Sequence, residues 1–163
     1  MTLSLTIPRS QFARMQVFLK KGGIREIGGW LVAEQIAPGY FELVGFTVDL
    51  EGGTRDRFRS LPSLHTEQLD QILLANGNRV GRVDYLGEWH SHPTFPPVPS
   101  KMDLSSMINM VENSGPSFAA LVIVRLLDTF SIESTITTFQ RGQSPIGGRL
   151  LIDDTPSEKL FHD

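Results

Sequence analysis

Four residues near the middle of the chain have types and spacings suited to metal binding. His90 and His92 are one residue apart, and Ser100 and Asp103 follow a loop with four prolines in seven residues. In an extended strand, side chains two residues apart lie on the same face, so both imidazoles can share one ion. Catalytic zinc takes three ligands from His, Asp or Glu and leaves a fourth position for water. Asp103 can supply the third ligand, which predicts one Zn²⁺ per chain.

The same residues also have ordinary structural explanations. An H-x-H pair alone is weak evidence for a metal, and Ser-x-x-Asp at a helix start is typical of a cap, with Ser100 as the N-cap residue. Two observations favour the metal site, namely the stiff proline-rich linker and the presence of only four histidines in the chain. His65 and His162 have no such neighbours in the sequence and are placed outside the site.

A hydrolytic metal site also needs a carboxylate that moves protons. The candidates are Glu26, Glu34 and Glu88. Glu88 shares the strand face of the two histidines by its period of two. Glu26 stands just before a pair of glycines, where another group could approach the backbone closely. Spacing alone does not choose between them, and a solvated surface position is the ordinary explanation for each.

Helical and strand-like patterns alternate around these residues. A helix is predicted between Pro8 and Gly22–Gly23, where the proline suits a helix start and the glycines a helix stop. Further helices are predicted over 65–78 and 100–115, and strands over 28–36, 40–50, 82–90, 117–126 and 130–141. The polar segment 51–63 is predicted to be a mobile loop. The pattern indicates one mixed α/β domain over residues 1–150, followed by a polar tail over 151–163.

Composition limits the function further. The chain has 163 residues, enough for one domain with its own core, and no cysteine, so disulfides and thiolate metal ligands are excluded. The formal net charge is −3 and the basic residues are scattered, so no nucleic-acid surface is expected. The start lacks the pattern of a signal peptide, and the longest apolar run, 118–124, is too short to cross a bilayer. A cytoplasmic protein without a membrane partner is expected.

Two segments resemble those of a known family. "HSHPTFPPVPSKMD" has the form H-S-H-x7-S-x2-D and resembles the signature of the JAMM/MPN+ zinc isopeptidases, and "EIGGWLV" is similar to the family's E-x-x-G-x-L segment. The resemblance implies a cytidine-deaminase-like α/β sandwich, with a central mixed sheet flanked by helices. It further implies site roles for five residues: zinc ligands His90, His92 and Asp103, general base Glu26, and oxyanion-stabilising Ser100. Glu88 would then lie at the surface or orient a histidine.

The segment "LGEWHSHP" is similar to the compact prokaryotic JAB branch of this family. Some members accompany ubiquitin-activating-like and ubiquitin-conjugating-like enzymes in anti-phage operons, including CBASS systems. The resemblance implies an isopeptidase that cleaves after the C-terminal residue of a ubiquitin-like protein or of a conjugated bacterial enzyme. Two alternatives stay open: a zinc hydrolase acting on a sulfur-carrier protein or a small-molecule amide, and a non-catalytic MPN-type scaffold. A zinc deaminase is excluded because its signature requires cysteine ligands.

Two pairs of residues near these motifs have competing interpretations. Gly28 and Gly29 either leave room for an extended substrate tail, which could add a strand to a sheet edge, or simply begin a strand. Trp30 and Trp89 could line a substrate groove, but a place in the core is the expectation for both.

Overall fold

The structure is a computed structural model that describes residues 2–51, 62–79, 81–113, 115–128 and 131–153. These residues form eight strands and three helices: β1 (Ser4–Ile7), α1 (Arg9–Gly22), β2 (Gly28–Ala37), β3 (Tyr40–Phe46), α2 (Pro62–Ala75), β4 (Val83–Ser91), α3 (Lys101–Asn113), β5 (Phe118–Leu126), β6 (Ile132–Gln140), β7 (Ile146–Gly147) and β8 (Arg149–Ile152). Most of the predicted loop 51–63 lies outside the described residues. None of the described helices is long and apolar enough to span a bilayer.

The strands form one mixed sheet in the order β7-β6-β5-β4-β2-β3-β1-β8. At its centre β2 runs antiparallel to both β3 and β4, and β4 runs parallel to β5. The predicted strands over 28–36 and 40–50 therefore form a hairpin, β2–β3, and the predicted central mixed sheet is confirmed. The metal-site candidates sit where β4 ends and β2 begins, at the middle of this sheet.

Helices cover both faces of the sheet, which confirms the predicted sandwich. On β5, Ala120, Val122 and Val124 pack in the core beneath α1, whereas the alternate residues Ala119, Leu121 and Ile123 pack beneath α3. This alternation follows the period of two in a strand. The second helix, α2, lies on the α3 side of the sheet, since β2 and β4 side chains on that face contact both helices.

Helix α1 starts and stops at the predicted signals. Pro8 occupies the N-cap position with extended backbone, and Gly23, at φ 59°, donates its N–H to the carbonyl of Leu19. One apolar residue of this helix, Val17, is 50% exposed. It lies two residues from the buried Met15, and two residues turn a helix by about 200°, so its side chain points away from the core.

The chain after β6 closes the sheet. β7 pairs with β6, and β8 pairs with β1. The short segment 146–152, which contains β7 and β8, therefore pairs with strands at both ends of the sheet. Gly148 joins its two halves: its N–H bonds to the carbonyl of Ile136 in β6, and the next N–H bonds to that of Leu3 beside β1. Neither β7 nor β8 was predicted, and β8 extends to Ile152, past the predicted domain boundary at 150. Residues 154–163 of the predicted tail lie outside the described residues.

Candidate metal centre

Strand pairing brings three predicted site residues together at one end of the sheet. His90 of β4 lies opposite Gly28 of β2, so Glu26, two residues before that glycine, lies next to His92 beyond the end of the strand pair. All three side chains are buried, with exposures of 4% for Glu26, 5% for His90 and 1% for His92. Their donor atoms lie within 4.8 Å of one another, a spacing that could hold one metal ion.

Asp103 completes a compact triangle with the two histidines. The Nε2 atoms of His90 and His92 are 3.2 Å apart, and Asp103 Oδ2 lies 3.4 Å and 3.7 Å from them. Ligands about 2.0–2.1 Å from a tetrahedral zinc ion are separated by about 3.3–3.4 Å. The triangle therefore has the size of one face of a zinc coordination tetrahedron.

Glu26 is the competing carboxylate, with its Oε1 3.6 Å from His92 Nε2. Both carboxylates can reach an ion held by the histidines. Asp103 is a candidate third ligand, because its Oδ2 lies within 4 Å of both imidazole nitrogens. Glu26 is the other candidate, because its donor atom lies within 4.8 Å of those of both histidines.

The proline-rich loop orients one imidazole. His92 Nδ1 lies 2.9 Å from the carbonyl of Pro96, which fixes the proton on Nδ1 and turns the Nε2 lone pair towards the other candidate ligands. The ring of Phe95 stacks on His92 at 4.1 Å between centroids. These supporting contacts were not predicted, because the sequence showed only a stiff linker at that place.

Ser100 and Asp103 form a reciprocal helix cap. The N–H of Ser100 donates to Asp103 Oδ2 at 2.8 Å, and the N–H of Asp103 donates to Ser100 Oγ at 3.0 Å. This is the capping-box arrangement at the start of α3. The capping interpretation is therefore confirmed, and it does not exclude a ligand role, since the same Oδ2 atom faces both imidazoles.

Electrostatics couple Asp103 to the histidines. Burial alone would raise the pKa of Asp103, but hydrogen bonds to His90, His92 and the Ser100 backbone hold it well below its usual range. Burial alone would lower the pKa of His92, but its hydrogen bonds to Asp103 and Pro96 and the nearby carboxylates raise it. The ion-free site therefore favours a proton on His92, which a metal must displace, so metal binding should weaken at low pH.

The other two candidate glutamates differ in their surroundings. Glu34 forms ion pairs with Arg79 and Arg82, at 2.8 Å and 2.9 Å, at the opposite end of β2 from the site. Glu88 lies on the same strand face as the histidines and is half-buried. Burial, together with the charge of Asp103, raises its pKa to about 7. The structure thus excludes Glu34 from the site and keeps Glu88 close to it.

Glu88 should make the stability of the metal-free protein depend on pH. Its pKa in the folded state, about 7, lies above the ordinary value of 4.5, so folding loses stability as the pH rises between those values. Glu88→Gln should remove this loss, which we expect to be on the order of 2 kcal/mol. Urea unfolding with chelator present would measure it at several pH values. A difference between parent and variant that stays constant across that range would contradict the assignment.

Ser91, between the two histidines, holds the segment that carries Glu26. Its N–H donates to the carbonyl of Ile27 at 2.8 Å, and its Oγ accepts from the N–H of Ile27 at 3.0 Å. Ser91 is only 3% exposed, so these bonds are protected from water. It is a positioning residue that sequence reasoning missed, and its place inside the H-S-H string was the signal available.

Ser91→Ala should destabilise the protein by about 1–3 kcal/mol, because it leaves the buried N–H of Ile27 without its acceptor. Urea unfolding would measure the loss. Ser105→Ala, at an exposed position of α3, is the matched control and should leave stability unchanged. Equal stability of both variants would show that the hydrogen bond between the Ser91 side chain and the Ile27 N–H does not stabilise the protein.

The paired glycines serve strand packing. A Cβ atom on Gly28 would lie 2.2 Å from the carbonyl oxygen of Trp89, and one on Gly29 would lie 2.2 Å from that of Thr47. Neighbouring backbone fills both spaces, which favours the strand-start interpretation of these glycines over an open substrate path. Without a side chain, Gly28 lets β2 lie close to β4, which places Glu26 beside the histidines, and Gly29 lets β2 lie close to the backbone of Thr47.

Trp30, Trp89 and His65 lie outside the candidate metal centre. Trp89 is fully buried and donates its indole N–H to the carbonyl of Thr47 at 2.9 Å, as expected of a core residue. Trp30 is half-buried between the rings of His65 and Tyr85. His65 is fully buried, and its Nδ1 lies 2.6 Å from Thr47 Oγ1, which agrees with its placement outside the metal site.

Comparison with known proteins identifies a family and solved structures of similar fold. A model of the prokaryotic homologs of the JAB domain matches residues 8–138, a range that contains all five predicted site residues. The chain is also similar to the solution structure of protein DSY2949 from Desulfitobacterium hafniense. That similarity has a TM-score of 0.66 at 16% identity and covers 98% of this chain and 99% of the other. No curated protein sequence matches the chain.

Proposed function

The chain belongs to the family of prokaryotic homologs of the JAB domain, and we propose that it is a zinc-dependent isopeptidase or peptidase. The observation that carries this proposal is the convergence of His90, His92 and Asp103 in a triangle of tetrahedral size, with the buried Glu26 beside it. The proposed substrate is the C-terminal tail of a ubiquitin-like protein, or a bacterial enzyme conjugated through such a tail. Activating-like and conjugating-like enzymes of an anti-phage operon are the proposed cytoplasmic partners.

In this proposal His90, His92 and Asp103 hold the ion. A bound zinc ion would supply Lewis-acid polarisation of the scissile carbonyl and acidify a water molecule. Glu26 takes a proton from that water and returns it to the leaving amine, as general base and then general acid. Ser100 Oγ already accepts the N–H of Asp103, so its own proton remains to donate to the developing oxyanion.

The test joins metal content to cleavage. The purified protein is analysed for bound metals and mixed with a fusion protein linked through a ubiquitin-like C-terminal glycine. One zinc per chain and cleavage that a chelator stops are the expected results. Zinc without cleavage of any fusion in a panel of tails would reject the peptidase, and a folded protein that takes up no zinc would reject the metal site.

A non-catalytic MPN-type scaffold is the second candidate, and the cap at Ser100 and Asp103 favours it. Those two residues satisfy each other, and Asp103 pairs with both histidines, so the polar groups are accommodated by capping and ion pairing alone. A scaffold would bind its partner equally well with and without chelator. The same substrate panel, extended to a sulfur-carrier tail and small amides, separates the zinc hydrolase alternatives from the isopeptidase.

A further inference from the structure

A pocket of about 310 Å³ opens on the α1 side of the sheet, next to the candidate metal centre. It is lined by Leu19, Lys20, Gly23, Ser91, Pro93 and Leu126. Two of these residues, Ser91 and Pro93, are the immediate neighbours of His92 in the chain. The pocket and the metal centre therefore share one short stretch of backbone at the end of β4.

All charged residues of α1, the helix that borders this pocket, are basic. Residues 1–25 contain five basic and no acidic residues, although the whole chain has a net charge of −3. Lys20 and Lys21 lie in the last turn of α1. The Lys21 ammonium lies over the ring of Phe18, 5.6 Å from its centroid, whereas Lys20 lines the pocket. Lys20 forms no ion pair within the ranges that the structure describes.

The candidate metal centre and the pocket lie on opposite sides of the end of β4. Successive side chains of an extended peptide point to opposite sides. Trp89 packs in the core beneath α1, so the next side chain, His90, faces the α3 side of β4, whereas the pocket is lined by residues of α1. A peptide that crossed the end of β4 with one carbonyl at the imidazoles would therefore place a neighbouring side chain on the α1 side, where Lys20 lines the pocket. The pocket volume is at the lower end of the about 300–1,000 Å³ of ligand sites, which suits one side chain with its backbone.

We propose that this pocket binds an acidic side chain of the substrate, Asp or Glu, next to the scissile bond, and that Lys20 is a specificity-determining residue. The position relative to the scissile bond rests on the proposed function, whereas the binding of a carboxylate to the pocket does not. Three observations support this proposal. Ser91 and Pro93, on either side of His92, line the pocket, and all charged residues of α1 are basic. Lys20 forms no ion pair within the described residues.

The first test compares fusion substrates that differ only at residues flanking the scissile bond, with Glu, Gln or Lys at each position. Glu at one position should raise kcat/KM over Gln by about two- to fivefold, the range of one partly exposed ion pair. Lys20→Glu should reverse that preference in favour of Lys. Lys21→Glu changes charge equally, one residue away, and should leave most of the preference intact. Equal effects of both variants, or no preference in the parent, would overturn the proposal.

The second test does not require cleavage. The ¹⁵N-labelled protein is titrated with Gly-Gly-Glu-Gly-Gly, acetylated at its N-terminus and amidated at its C-terminus, and with its Gln counterpart. Saturable shifts of the Gly23, Ser91 and Leu126 amides are expected with the Glu peptide, several-fold weaker with the Gln peptide, in Lys20→Glu, or at high salt. Identical shifts with both peptides would overturn the pocket assignment. Selective shifts in a protein that cleaves no fusion would uphold the pocket and reject the proposed function.

Discussion

Glu26→Gln should lower the cleavage rate by about 10²- to 10⁴-fold, the usual contribution of a general acid–base group. Glutamine has nearly the same shape but cannot accept the proton. The side chain is only 4% exposed, so bulk water has little access to replace it. Zinc content should stay at one per chain, because the two histidines and Asp103 remain. Initial cleavage rates and metal analysis of the same preparation measure both quantities.

Glu88→Gln is the matched control for this change. It makes the same substitution on the same side of the sheet and should leave both zinc and cleavage close to the parent level. His90→Ala is the opposite control, since it should lose zinc and cleavage together. If Glu88→Gln, rather than Glu26→Gln, abolished cleavage with zinc retained, the assignment of the base would move to Glu88.

Asp103→Asn should release zinc while leaving helix α3 capped. The amide oxygen can still accept the N–H of Ser100, but it carries no charge for the ion. Zinc affinity should fall by more than the about 10- to 100-fold typical of residues that only orient ligands. Competition with a fluorescent zinc chelator measures the affinity. The metal-free variant should also be less stable than the parent at neutral pH, because the ion pairs of Asp103 with both histidines are lost.

Ser100→Ala separates capping from metal binding. It removes the acceptor of the Asp103 N–H and should cost about 0.5–2 kcal/mol of stability, with zinc affinity close to that of the parent. Together the variants decide between the two carboxylates. If Asp103→Asn kept its zinc and Glu26→Gln lost it, the third ligand would be Glu26.

Local patterns made the elements around the site predictable. The proline and glycines at the ends of α1, the apolar run of β5 and the Ser-x-x-Asp start of α3 each specify structure through neighbouring residues. That His90 and His92 lie close together was predictable in the same way, because side chains two residues apart in a strand share one face. These features need no knowledge of distant parts of the chain, and the sequence was sufficient for them.

Features that depend on distant parts of the chain were not predictable in the same way. The choice between Glu26 and Glu88 needs the register of β2 against β4, which the pattern of neither strand contains. The stacking of Phe95 on His92 depends on how the proline-rich loop folds back. β7 and β8 are only two and four residues long, too short for a strand pattern in the sequence. In addition, β8 pairs with β1, which lies near the other end of the chain.

The segment 146–152 gives both lateral strands, β6 and β1, their outer neighbour. During synthesis, the strands that carry the candidate metal centre are made first, and contacts between residues far apart in sequence form slowly. Unpaired strand edges promote association between chains. Chains that stop before residue 146 should therefore associate in light scattering, whereas chains that reach residue 153 should not, and equal behaviour would contradict this. Aggregation of the nascent chain is most favoured before the closing segment leaves the ribosome.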